Sequence, residues 1–313
     1  MEITVYKILQ DSDPFNPRMD CDMLGVMYTC HRNYRFGDPK WDTSVNSPPD
    51  SIDQFIWDLQ PGELAGFPGY WMEDGEVRRT LTKEEQEEYW YLDARPGWDD
   101  ERFEQLDQVW QDNEPSQEEA KAFLEAFETW KSENICILPL YLYDHSGITM
   151  RTSPFSCQWD SGQVGFIYCT KERCDELGAD FSKAEDCLRA EVEEYDQYLT
   201  GDVYGYVSWE FKLEDLEDEE ALSDLDRFDT LAENEHAKVV LWDGYSNLTD
   251  LEDWMESSGE VEEGHSCWGF YGQDYIKEEL KAGAVRHCKW VAEKAVREAS
   301  EQAERSRRTY WCM

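Results

Sequence analysis

The sequence predicts an α+β fold, with a mixed or antiparallel sheet covered by helices and carrying acidic helical insertions. Three observations predict it. Runs rich in β-branched and aromatic residues recur at 3–9, 135–170 and 203–213, as strands require. Between 84 and 133 the apolar residues instead recur at helical spacing. The 14 Trp, 17 Tyr and 13 Phe are too many large aromatics for a disordered chain, so a core is expected.

The elements follow in order. Ile3-Thr4-Val5-Tyr6-Lys7-Ile8-Leu9 reads as a strand. Residues 10–50 are rich in Asp, Pro, Asn and Gly and read as loops around one short segment, Leu24 to Tyr28. Pro48-Pro49-Asp50 is a turn that precedes a helix from Ser51 to Leu59. Phe103, Leu106, Val109 and Trp110 form one apolar helix stripe, and Ala120, Phe123, Leu124, Phe127 and Trp130 form another. Ser116 with Glu119, and Ser182 with Glu185, have capping-box spacing.

Residues 135–143 form the most hydrophobic run and read as a buried strand, with Pro139 at an edge or bulge. Ile148-Thr149-Met150, Val164 to Tyr168, Val203 to Leu213 and Lys238 to Trp242 read as further strands. Ala184, Leu188, Val192, Tyr195 and Leu199 share one face of a helix. A long helix over 274–308 carries nine Lys or Arg against six Glu and is the only basic region. The expected organisation is a discontinuous scaffold at 1–83 and 134–213, a helical insertion at 84–133, an acidic segment at 214–273 and a C-terminal helix at 274–313.

Charge sets the partner class. Asp plus Glu total 71 against 29 Lys plus Arg, a net charge of −42. Phosphates attract cations, so direct nucleic-acid binding is excluded and a basic protein surface is favoured. Residues 84–133 hold 17 acidic and 4 basic side chains, net −13. Residues 210–263 hold 20 acidic and 3 basic, net −17. Both blocks are expected to rest on amphipathic helices, which hold charges at a fixed rise of about 1.5 Å per residue. Duplex DNA presents one charge per about 1.7 Å. Such a face can approximate a phosphate ladder.

No apolar stretch is long enough for a membrane span. The start, Met1-Glu2-Ile3-Thr4, lacks the basic region and apolar run of a secretory signal, so a cytoplasmic setting and reduced thiols are expected for the ten Cys.

Several long motifs stand out: Asn16-Pro17-Arg18, Asp22-Met23-Leu24-Gly25, Cys30-His31-Arg32-Asn33-Tyr34-Arg35-Phe36-Gly37-Asp38 and Leu138-Pro139-Leu140-Tyr141-Leu142-Tyr143-Asp144-His145-Ser146-Gly147. Pro154-Phe155-Ser156-Cys157-Gln158-Trp159-Asp160, Tyr195-Asp196-Gln197-Tyr198-Leu199-Thr200-Gly201 and Ser266-Cys267-Trp268-Gly269-Phe270-Tyr271-Gly272 continue them. With these motifs the chain resembles a family of uncharacterised proteins encoded by bacteriophages and integrative mobile elements. The resemblance spans about 14 to 272 and departs at Met19-Asp20-Cys21, where a more aromatic or polar stretch is expected. It implies action inside a bacterial host and carries no established activity. The acidic blocks lie mainly between the motifs.

These features lead to two expectations of different class. The first is an anti-defence inhibitor, a nucleic-acid mimic that binds a DNA- or RNA-handling host protein of CRISPR–Cas or restriction type. Its surface would comprise Glu84, Glu85, Glu87, Glu88, Asp99, Asp100, Glu101, Glu217, Asp218, Glu219 and Glu220, with Tyr89 and Trp90 as exposed aromatic anchors. Tyr70-Trp71 and Tyr91 are further anchor candidates. A homodimer would extend that surface. An accessory protein that binds a basic host regulator is a variant of this reading. The second is a metal-dependent hydrolase using His31, His145 and Asp160. Asp144-His145-Ser146 has triad residue types but reads as a tight turn. No Cys-x-x-Cys pair and no phosphate-loop glycine spacing occurs, so no cofactor or resident metal is expected.

Overall fold

The computed structural model describes residues 1–38, 52–59, 64–157, 159–213, 225, 227–242 and 262–310. The fold is α+β, and the chain divides into two compact units, residues 1–21 with 194–313 and residues 22–193.

The first unit is built on a five-stranded mixed sheet. Its strands are β1 (Glu2–Gln10), β8 (Val203–Lys212), β9 (Asp229–Glu233), β10 (Ala237–Trp242) and β11 (Glu262–Tyr271), in the order β11-β8-β1-β10-β9. β1 runs parallel to β10 and antiparallel to β8. Period-two alternation divides its apolar residues between two faces. Ile3, Val5, Val240 and Trp242 join Trp209, Phe211 and Phe228 in one core. Ala237, Val239 and Leu241 meet the long helix Gln273–Tyr310 on the other, through Ile276, Leu280, Ala284, Cys288 and Val291. Those five recur every three or four residues, as one helix face demands. From Glu293 to Gln302 the helix has no buried residue.

The second unit carries a four-stranded antiparallel sheet, order β2-β7-β5-β6, from β2 (Val26–Thr29), β5 (Ile135–Asp144), β6 (Ile148–Arg151) and β7 (Ser161–Thr170). Pro139 sits within β5, yet β6 pairs only Tyr141 to Asp144. Among the described residues Pro139 is thus paired on the β7 side alone, next to a bulge at Leu140/Tyr141, where a missing N–H is tolerated. The sheet expected to unite 3–9, 135–170 and 203–213 is thus two sheets. Strand patterning fixes which face is buried but not which strand is the neighbour.

Among the described residues, five α-helices belong wholly to this unit: α2 (Ile52–Leu59), α3 (Lys83–Asp93), α4 (Asp100–Asp112), α5 (Gln117–Asn134) and α6 (Lys171–Leu177). The short α1 (Pro17–Asp20) lies in the first unit, and the unit boundary falls inside α7 (Ala184–Thr200). The helix Gln273–Tyr310 is α8. A hairpin of β3 (Tyr70–Glu73) and β4 (Glu76–Arg79) was not expected from the sequence. Its turn is Asp74-Gly75, both at positive φ, the favoured two-residue hairpin turn. Phe123 and Phe127 of α5 are fully buried among Trp57, Phe67 and Tyr70. Tyr70 packs on this cluster, and Tyr70 and Trp71 are half-buried rather than exposed.

The Ser116–Glu119 capping box forms as spaced, and a second one, Thr82 with Glu85, starts α3. The Ser182–Glu185 spacing differs. Ser182 lies in a 3-10 turn before α7 and donates its hydroxyl to Asp180, which caps that turn. A carboxylate two residues earlier is the stronger acceptor for the free amides. In the second acidic block, the described residues between 227 and 242 form strands rather than helices.

Gly165 lets β2 approach β7. A Cβ there would collide with the Tyr28 carbonyl oxygen and lie 2.9 Å from Thr29 Cα, both backbone atoms. Gly165→Ala is expected to lower the urea midpoint by an overpacking cost of at least about 1–3 kcal/mol. Gly162→Ala, three residues away with open space around its Cβ position, should change it little.

Candidate functional site

Two places collect the candidate residues, and both lie in the second unit. The first is the surface of α3, α4 and α5. Leu81, Tyr89, Leu92, Leu106 and Val109 form the core that joins α3 to α4. Turning those residues inward leaves the carboxylates outside. Of the 17 between 84 and 133, only Glu85, Asp107 and Glu119 are half-buried, and the other 14 are exposed. Of the four basic residues in that span, Arg95 and Lys121 are exposed.

Glu84, Glu87, Glu88, Asp99, Asp100 and Glu101 are on this exposed surface. Three have local roles as well. Glu88 accepts from Arg102 at 2.9 Å, Asp99 caps α4 through the Arg102 amide at 3.1 Å, and Asp100 accepts from the Gly97 amide at 2.8 Å. Glu85 does not belong to the face. It pairs with Arg79, which also holds Glu119 at 2.8 Å, and its side chain is 17 % exposed. Its place at the third position of a capping box points it back across the helix start. Glu119 is held below the usual carboxylate range. Burial opposes that shift, but the Ser116 hydroxyl and amide together with Arg79 outweigh it.

Tyr89 is buried, which corrects its reading as an exposed anchor. Its hydroxyl donates to Asp107 at 2.9 Å, and that bond, with burial, raises its pKa. The i, i+3 spacing of Tyr89 to Leu92 was the available signal that it faces the core. Trp90, the next residue, points away and is 57 % exposed. It meets the half-exposed Trp110 ring edge-on at 6.1 Å between centroids. Arg95 lies over the Tyr91 ring at 4.0 Å, beside the exposed Trp98. Trp98 and Trp110, exposed as well, were not singled out as candidate anchors from the sequence. Glu217, Asp218, Glu219 and Glu220 lie outside the described residues.

The second place is a polar pocket of about 360 Å³ at one end of the β2-β7-β5 sheet. Its lining includes Cys30, His31, Asp144, Trp159, Asp160 and Gln163. Three separate motifs meet there because the β5–β6 turn, the strand β7 and the loop after β2 end together. Asp144-His145-Ser146 begins that turn, with Ser146 at φ 61° and the His145 amide donating to Gly147 O. Trp159 is 96 % exposed at the pocket rim.

The Asn33 amide donates to His31 Nδ1 at 3.3 Å, which puts the proton of the neutral ring on Nε2. Burial lowers the His31 pKa, against the pull of Asp144, which favours the neutral ring. His145 Nδ1 and Cys157 Sγ approach the same oxygen of Asp160, at 3.5 and 3.7 Å. The carboxylate therefore stands between thiol and imidazole, whereas nucleophile activation needs the imidazole in the middle. Among the described residues no three His, Cys, Asp or Glu side chains are placed to hold one metal ion. The metal-hydrolase expectation built on His31, His145 and Asp160 thus lacks its ligand set there, although the pocket lining does include His31 and Asp160.

Among the described residues no helix is long and apolar enough to cross a membrane. The chain matches no protein-family model, no curated protein and no solved structure.

Proposed function

We propose that this chain is an anti-defence inhibitor from a phage or mobile element, acting in a bacterial host. It binds a basic DNA- or RNA-handling protein of CRISPR–Cas or restriction type through the α3–α5 face and blocks the nucleic-acid groove. The observation that carries this reading is the ordered acidic surface itself, 14 exposed carboxylates, all on α3, α4 and α5 except Asp99 and Glu114 beside them, over packed apolar clusters.

Charges on packed helices are preorganised, so little ordering entropy is lost when a groove closes over them. Opposite charge steers the encounter and accelerates it at low salt. Trp90, Trp98 and Trp110 add apolar anchors that phosphates lack. Aromatic anchors supply the slow dissociation that charge alone does not.

The test is binding to a purified nuclease with a basic groove, measured at low and high salt and with excess duplex DNA. Mimicry predicts an affinity that falls steeply with salt, and displacement by DNA. Binding that DNA leaves untouched would move the contact to another surface and favour the accessory-protein reading. Binding that neither salt nor DNA affects would remove the acidic face from the account.

A further inference from the structure

Three thiols converge in the second unit, away from both places described above. Cys136 lies on β5, Cys169 on β7 and Cys174 on α6. Cys136 and Cys169 are directly opposite in the antiparallel register, one step from the Ile135–Thr170 pair. Opposed residues in such a ladder have Cα atoms about 4.5 or 5.5 Å apart. Disulfides span Cα separations of roughly 4.4–6.8 Å. The opposed Cα positions thus fall within the range a disulfide spans. α6 starts immediately after β7, capped by Thr170, and its buried face returns Cys174 to within 3.9 Å of Cys169, sulfur to sulfur.

Exposure separates the three. Cys169 and Cys174 are fully buried, and Cys136 is partly open to solvent. We propose that Cys136 and Cys169 form a peroxide-reactive pair that closes into a cross-strand disulfide.

The chemistry uses hydrogen peroxide as the two-electron oxidant. The Cys136 thiolate attacks one peroxide oxygen; an S–O bond forms, the O–O bond breaks and hydroxide leaves. Cys169 then loses its proton to that hydroxide, and its sulfur attacks Cys136 sulfur. The S–S bond forms, the S–O bond breaks and the oxygen departs as water once protonated. Two thiols and one peroxide become one disulfide and two waters.

The local electrostatics assign the roles. The Cys169 S–H donates to Cys136, which lowers the Cys136 pKa despite partial burial, and nearby Arg189 adds to this against Glu185. The same bond, with burial, raises Cys169. The accessible thiol is therefore the nucleophile toward peroxide, and the buried one resolves. The disulfide would tie β7 to the start of β5, directly beyond the end of α5.

The test maps oxidation on the full, unaltered chain. Reduced protein is treated with hydrogen peroxide, free thiols are alkylated and peptides are identified by mass spectrometry. The expected main product is the peptide pair linked through Cys136 and Cys169. Cys136→Ser should abolish that link. Cys169→Ser should leave a sulfenic acid on Cys136 that dimedone captures. Oxidation of the exposed Cys21, Cys187 or Cys267 with Cys136 intact would overturn the proposal. So would a link between Cys169 and Cys174. The mapping needs no variant, so a poorly folding Cys169→Ser does not weaken it.

Discussion

Lysine at Glu84, Glu87, Glu101 and Glu104 together is expected to slow capture of a basic partner by about 10- to 1,000-fold at low salt, the range that electrostatic steering spans. All four are exposed. None of the four shares in the hydrogen bonds or ion pairs that hold α3 and α4, which run through Glu85, Glu88, Asp99, Asp100 and Asp107. The substitution therefore changes the field and spares the packing. Lysine in the first turn of each helix opposes the helix dipole, at about 0.3–1 kcal/mol per site. Melting curves recorded beside the kinetics would separate that cost from binding. The matched control is lysine at Glu172, Asp175 and Glu176, exposed carboxylates of α6. Stopped-flow association should show loss with the first set and near-normal rates with the second. Equal effects from the two sets would mean that net charge matters and that the helical face does not.

Arg79→Met is expected to destabilise the second unit by about 3–5 kcal/mol, the usual cost of stranding buried charge. Arg79 is buried and clamps two carboxylates, Glu85 on α3 and Glu119 on α5. Without it, Glu85 keeps the Thr82 amide, at 3.1 Å, and the more distant Arg102, at 3.8 Å, and Glu119 keeps its helix cap. The loss should sit at the lower end of that range, because the Glu119 side chain is 38 % exposed and water recovers part of the charge. Urea denaturation measures it. Arg79→Met with Glu85→Gln should recover part of the loss, since the stranded charge is then removed as well. The pH dependence has a defined sign. Glu119 has a lowered folded-state pKa, so its contribution is complete above its unfolded pKa and fades as pH falls through the folded value. Wild type should therefore lose this contribution on acidification, and the Arg79 variant should lose less.

Local signals carried most of the helices. Ser116 and Glu119 announced α5, and the stripe from Phe123 to Trp130 gave its buried side. The hairpin at 70–79 was legible too, through Asp74-Gly75, but the aromatics beside it drew the surface reading instead. Sheet membership was not legible. β1 takes β10 as its parallel neighbour more than 200 residues later, and no property of Ile3 or Val5 encodes that choice. The candidate surface followed the same division. Composition alone located the carboxylates, whereas separating Tyr89 from Trp90 required knowing which side of α3 meets α4. His31 and Asp160 were notable as residue types, and only the end-to-end alignment of β2, β5 and β7 brought them to one pocket.

Helix α8 has two thermodynamic regimes within one continuous rod. Its 38 residues span about 57 Å at the standard rise. Up to Val291 every turn rests on the sheet, so opening there means giving up core. From Glu293 to Gln302 no side chain is buried, although Lys294 and Ala295 are half-buried and Lys294 lies 4.0 Å from Glu2, so helicity in that stretch rests mainly on intrinsic propensity and charge spacing. That stretch therefore responds to temperature and salt as a peptide does, fraying and re-forming while the sheet beneath the first half stays closed. A surface that docks along it would add the missing contacts and turn a local helix–coil balance into a readout of binding.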